Sequence, residues 1–162
     1  MSKWRAFPWF AKALIQFLDC AVTKEMDILE IGAGSSTPWL AMRAKSVLSY
    51  EHDARWHGIV KSKLEEAELQ NCEVIHDPLY PELGIRENSR EFDMIIIDGR
   101  GRVKSIETTF RLLKPGGYLM LDDAERTRYR EGKKLLDDLG WRRTELKTDG
   151  VKKSAIAWRK PQ

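Results

Sequence analysis

Five short apolar runs in this chain each end in acid. Ile28-Leu29 leads to Glu30, Val47-Leu48-Ser49-Tyr50 to Glu51, Cys72-Glu73-Val74-Ile75 through His76 to Asp77, Phe92–Ile97 to Asp98, and Tyr118-Leu119-Met120-Leu121 to the Asp122-Asp123 pair. One such acid is ordinary, because strand ends meet solvent and Asp favours turns and helix caps. Five in series favour a ligand, since carboxylates facing one crevice repel unless hydroxyls, amines or a cation sit among them. A nucleoside with a positive centre supplies all of these.

The first run passes into Gly32-Ala33-Gly34, then Ser35-Ser36-Thr37-Pro38. Such a turn lets backbone approach a ligand closely between a strand and a helix. A dinucleotide turn wants a third glycine in G-x-G-x-x-G, and Thr37 stands there; the ATP-binding G-x-x-x-x-G-K-[ST] is absent. Glu51 follows Gly32 by 19 residues, suitable for gripping ribose hydroxyls in a dinucleotide or another nucleoside cofactor. Ser-His-Asp and Cys-His arrangements do not appear.

The elements that must hold these residues alternate between helix and strand. Phe10, Leu14, Phe17, Leu18 and Ala21 recur at helical spacing and predict an amphipathic helix over 8–21. Strands are expected at each acid-ending run. Thr37 as N-cap with Pro38 first in the helix predicts a helix over 39–45, and Asp53 caps a second over 54–69. Further helices are expected over 103–113, stopped by Lys114-Pro115-Gly116-Gly117, and from the Asp122-Asp123 pair to Leu139, closed by Gly140. Residues 141–148 and 153–158 flank Asp149-Gly150 and read as an antiparallel hairpin. Together these predict an α/β fold with a Rossmann-like, seven-stranded, mostly parallel sheet, helices on both faces and a C-terminal antiparallel hairpin. Ligands of such sheets bind beyond the carboxyl ends of the strands.

Composition bounds the rest. With 162 residues, 42% apolar, the chain is expected to form one domain over 1–162, its residues 1–22 packing on or capping the core. Net charge is +3 with a pI near 8.8, too balanced to point to nucleic acid or a membrane surface. Two cysteines, Cys20 and Cys72, lack zinc or disulfide spacing, and a reducing cytoplasm is the expected compartment. Lys3 and Arg5 precede an apolar stretch that Lys12, Gln16 and Asp19 interrupt, so no signal peptide is expected.

From Asp27 onward the chain resembles the class I S-adenosylmethionine-dependent methyltransferases. Asp27-Ile28-Leu29-Glu30-Ile31-Gly32-Ala33-Gly34 resembles that family's first motif, around the methionine moiety of the cofactor. The resemblance implies cofactor binding by Glu30, Gly32, Ala33, Gly34, Ser35, Ser36, Glu51 at the ribose, His52 beside it and Asp77 near the adenine amine. Phe92–Gly99 resembles the motif beside the methyl group, which makes Asp98 the candidate catalytic residue, and Leu113–Tyr118 resembles the segment before the fifth strand. The family also implies a seventh strand lying antiparallel between the fifth and sixth.

Within the family, Asp98, Asp122 and Asp123 are similar to the metal site of catechol-type and macrocin-type O-methyltransferases, which implies Mg²⁺ on oxygen ligands. The alternative is that Asp122 or Asp123 caps the following helix. The usual lysine three residues after the first metal acid is Gly101 here, and Arg100, Arg102 and Lys104 read as a solvated basic face. The expected activity is transfer of a methyl group to a small-molecule acceptor, a hydroxyl oxygen foremost, without a nucleic-acid or membrane partner. A noncatalytic nucleoside-binding module and a dehydrogenase are the alternatives. Trp4 and Trp9 read as core, acceptor pocket or homodimer interface.

Overall fold

The computed structural model describes residues 7–79 and 89–162. Trp4 and residues 80–88 therefore lie outside the described residues.

The apolar runs become a sheet whose successive side chains point to opposite faces, both buried. Strands β1 (Asp27–Ile31), β2 (Ser46–Glu51), β3 (Cys72–His76), β4 (Phe92–Ile97), β5 (Leu113–Asp122), β6 (Arg142–Leu146) and β7 (Ala155–Arg159) lie in the order β3-β2-β1-β4-β5-β7-β6. The first five run parallel, and β7 is antiparallel to both β5 and β6, as the family resemblance implied. Leu29, Ile31, Ile95 and Ile97 point into one apolar layer with Ile106 and Leu136. Their neighbours Ile28, Met94 and Ile96 point into the other, with Leu14, Leu18 and Leu40.

The helices are α1 (Lys12–Ala21), α2 (Ser36–Ala41), α3 (Ala54–Glu66), α4 (Arg102–Thr109) and α5 (Arg130–Asp138). Asp53 caps α3 as expected, its Oδ1 accepting from Trp56 N at 2.8 Å. The start of α2 departs from expectation. Ser35, not Thr37, holds the N-cap position and Pro38 sits inside the first turn, where its missing N–H would have lacked a partner anyway. Thr37 is instead fully buried and turned toward Glu30. Lys114-Pro115-Gly116-Gly117 does not terminate a helix: a single 3₁₀ turn over Phe110–Leu112 follows α4, and these residues begin β5. Nor do Asp122 and Asp123 cap α5, which starts only after a 3₁₀ turn at Thr127–Tyr129. Asp149-Gly150 does turn the chain, with Val151 N donating to Thr148 O at 3.0 Å.

The parallel register brings the carboxyl ends of β1, β2 and β4 to one edge. Gly32 N donates to Tyr50 O at 2.9 Å, Asp98 N and Gly99 N donate to Ile31 O at 2.9 and 2.7 Å, and Asp77 N donates to Glu51 O at 2.9 Å. No helix among the described residues is long and apolar enough to cross a membrane.

Candidate functional site

A cavity of about 1230 Å³ opens above that edge. Gly32 explains why the first turn needs glycine: its φ is +98°, and a Cβ there would stand 2.5 Å from Gly99 N. The turn after β1 and the turn after β4 thus touch, backbone to backbone. Gly32, Ala33, Gly34, Ser35 and Ser36 all line the cavity, as do Glu51, His52 and Asp98. Glu51 is 4% exposed; its Oε1 accepts from Asp53 N at 2.9 Å and lies 2.8 Å from His52 Nδ1. Trp56 closes the same side, its Nε1 donating to Ala33 O at 2.7 Å.

Two expected cofactor residues are placed elsewhere. Glu30 does not line the cavity: it is fully buried beneath the glycine turn, and a buried carboxylate must collect donors. It collects three hydroxyls, from Ser36, from Thr37 at 2.6 Å and from Ser49 at 2.8 Å. Glu30 therefore supports the turn from below. Asp77 is likewise off the wall that the described residues form, its Oδ1 accepting from Leu79 N at 3.0 Å as strands give way to loop.

Burial pushes the Glu30 carboxyl up to about 7, against the pull of its three hydroxyl donors. An acid whose folded pKa lies above its unfolded one adds stability below the unfolded value, and that contribution is lost as pH rises through about 7. Between pH 4.5 and about 7, stability should therefore fall, by about 3 kcal/mol for this group. Glu30→Gln keeps an acceptor oxygen and removes the titration, so urea unfolding of the variant should show a flatter profile in that window. Parallel profiles for the two proteins would reject this account.

Asp98, Asp122 and Asp123 do converge, with carboxylate oxygens within 4.8 Å of one another. The expectation that they hold Mg²⁺ meets a physical objection, because cations of the chain already occupy their oxygens. Arg102 Nη2 stands 2.9 Å from Asp98 Oδ1 and 3.2 Å from Asp123 Oδ2; Lys153 Nζ stands 2.8 Å from Asp122 Oδ2 and 3.4 Å from Asp123 Oδ1; Arg126 Nη2 stands 2.8 Å from Asp123 Oδ2. The second Asp122 oxygen accepts from Ala11 N at 2.8 Å. Of these carboxylate oxygens only the second of Asp98 is left without a cation or N–H partner among the described residues, and that single open oxygen does not fit a resident divalent ion.

Arg102, expected on a solvated face, is the centre of this arrangement and is 7% exposed. Its Nε donates to Gly99 O at 2.9 Å, its Nη1 to Asp122 O and its Nη2 to Asp98 O at 2.7 Å, so one guanidinium ties the ends of β4 and β5. The sequence held one signal for it: an arginine four residues after a strand-end acid, at a helix start. Burial pushes Asp98 up to about 7 although Arg102 draws it down, and Asp98 keeps a face on the cavity. Trp9 sits at the cavity mouth rather than in the core, 72% exposed with its ring centroid 6.2 Å from that of Trp56.

A parallel sheet with a glycine turn after β1, an acid after β2 and a carboxylate after β4 defines a Rossmann-like protein built for a nucleoside cofactor. The methyltransferase-domain family model matches residues 29–124, more than half of the chain, and the chain belongs to that family. It is a class I S-adenosylmethionine-dependent methyltransferase. Membership overturns the dehydrogenase and the noncatalytic module as alternatives. The fold is similar to that of an S-adenosylmethionine-dependent O-methyltransferase from Thermotoga maritima (TM-score 0.76, 16% identity, 99% of this chain and 69% of that one). It is also similar to an rRNA methylase from Streptococcus thermophilus (0.67, 17%, 91% and 93%) and to a Streptococcus mutans protein solved with S-adenosylhomocysteine (0.66, 16%, 90% and 94%). No curated protein sequence matches the chain.

Proposed function

We propose that this enzyme methylates a hydroxyl oxygen of a small molecule, with residues 1–162 acting as one domain. The observation that carries the reading is the Asp98 carboxylate, exposed on the cavity wall where the β4 turn touches the glycine turn, and raised by burial to about 7. A base of that strength suits a hydroxyl at neutral pH.

The residues present fit S-adenosylmethionine: a turn at Gly32 with no room for a side chain, and a shielded carboxylate at the end of the next strand. When bound, the cofactor supplies a methyl carbon on a sulfonium, whose carbon–sulfur electron pair leaves on sulfur as the new bond forms. The glycine turn from Gly32 to Ser36 lets backbone approach the ligand, and Glu51 accepts from ribose hydroxyls with His52 beside it. Asp98 takes the proton of the acceptor hydroxyl, while the cavity wall around it fixes the line of approach. Glu30 acts by holding Ser36 and Thr37, and so the turn itself.

Turnover of labelled S-adenosylmethionine against a panel of hydroxyl and amine compounds tests the reading, with the label expected in a methyl ether. Label found only on nitrogen or carbon would reject it. Glu51→Ala should weaken S-adenosylhomocysteine binding by roughly 1.5–3 kcal/mol, the scale of hydrogen bonds to a charged partner. Unchanged affinity by calorimetry would remove Glu51 from the site.

A further inference from the structure

The cavity wall carries both signs of charge, with Arg55 and Arg100 beside the acids of its β2 end. Its β2 end carries Glu51 and Asp53, and its β5 end carries Arg126 and Arg128. Those two arginines also line an adjoining recess of about 740 Å³, so the two spaces share a wall. In the recess four cations, Arg126, Arg128, Lys152 and Lys153, face two carboxylates, Asp123 and Glu125.

Both carboxylates are already engaged. Asp123 lies against Arg102, Arg126 and Lys153, and Glu125 accepts from Ser154 N at 3.0 Å. Lys153 is held 2.8 Å from Asp122. Arg128 donates from Nη2 to the Tyr129 hydroxyl at 2.9 Å and lies over that ring, 5.0 Å from its centroid. Among the described residues, neither Arg128 nor Lys152 has an ion-pair partner. Both are exposed. The recess therefore keeps positive charge that no carboxylate among the described residues neutralises.

The geometry points to an acceptor that carries an anionic group, a phosphate or a carboxylate, which Arg128 and Lys152 hold in this recess while the reacting hydroxyl lies at Asp98. The inference rests on the methyl-transfer reading of the same cavity and names the substrate class. Arginine presents a planar fork of donors that matches either oxyanion. At the β2 end Arg55 and Arg100 accompany Glu51 and Asp53, whereas in the recess Arg128 and Lys152 have no ion-pair partner among the described residues, so the recess is where an anionic group is held and the neutral part is left toward Asp98. The recess is small and its two uncompensated cations are held beside Asp123 and Glu125, which favours a small anion over a long polyanion that needs a continuous cationic track.

Calorimetry on the protein loaded with S-adenosylhomocysteine tests this with 4-hydroxybenzoate and 4-hydroxyphenyl phosphate against phenol, in low salt. At least one anion should bind about tenfold tighter than phenol, the scale of a charge-assisted hydrogen bond. The Arg128→Gln, Lys152→Gln double variant should erase that preference and leave S-adenosylhomocysteine affinity unchanged. The better of the two anions identifies the group as phosphate or carboxylate. If neither anion exceeds phenol, or if the double variant keeps the preference, the inference falls while the cofactor-binding reading stands. Failure of the wild-type protein to bind S-adenosylhomocysteine would instead sink the reading on which it rests. A short RNA that displaces the anions with a steep salt dependence would assign the recess to nucleic-acid phosphates and overturn the small acceptor.

Discussion

Arg102→Ala is expected to lower folding stability by about 3–5 kcal/mol, the cost of removing one partner from a buried ion pair. The substitution strips the counter-charge from Asp98 and part of that from Asp123, and leaves the Gly99, Asp98 and Asp122 carbonyls without their donor. Arg102→Lys should recover only a fraction, because a single ammonium cannot donate to acceptors as far apart as those that the planar guanidinium reaches from Nε, Nη1 and Nη2. Urea unfolding reads both variants, and a loss under about 1 kcal/mol for the alanine would show that this guanidinium behaves as a surface charge. The same cluster predicts that excess EDTA leaves methyl transfer unchanged, since the chain supplies its own cations. Activity lost to EDTA and restored by Mg²⁺ would return a metal to these three acids.

Asp98→Asn should reduce kcat by about 10²–10⁴, the range for a positioned general base, while S-adenosylhomocysteine affinity stays within a few-fold. The base must be ionised to act. Because burial raises its carboxyl to about 7, wild-type activity should be present above that value and lost as pH falls through it, and the asparagine variant should lose that limb of the profile. Stopped-time assays with labelled cofactor between pH 5.5 and 8.5, on the order of a unit and a half either side of the midpoint, would read the effect. A variant that retained full turnover would move the proton to another group.

The sheet was legible in the sequence because strands buried on both faces read as short continuous apolar runs, and their ends as breaks in apolarity. Ile28-Leu29, Val47–Tyr50 and Phe92–Ile97 could hardly be anything else, and the acids that follow them lie at the ligand edge for the same reason. What residue type did not disclose was direction. Glu30 and Glu51 both end apolar runs, yet Glu30 is turned beneath the turn by Ser36, Thr37 and Ser49 while Glu51 faces the cavity. Those hydroxyls sit on two different elements, Ser36 and Thr37 on α2 and Ser49 on β2, and only the parallel register of β1 with β2 brings Ser49 opposite Glu30. The metal expectation failed in a related way. Three neighbouring acids were visible, but Lys153 lies far along the chain and reaches them only through the antiparallel return of β7 beside β5. Arg102 was read by the charges around it, when its position at the junction of two strand ends decided its burial.

The segment ahead of α1 is fastened to that same cluster. Lys153 Nζ donates to Trp9 O at 2.5 Å while also meeting Asp122 and Asp123, and Ala11 N donates to the other Asp122 oxygen. The stretch from Trp9 to Ala11 is therefore wired into the wall that carries Asp98. Deleting residues through Ala11 would amount to an active-site mutation: Asp122 would lose the Ala11 N–H donor, and Lys153 would lose the Trp9 carbonyl and be left to Asp122 and Asp123 alone. Any shortened form of this enzyme should keep Trp9 and Ala11 if its kinetics are to be compared with those of the whole chain.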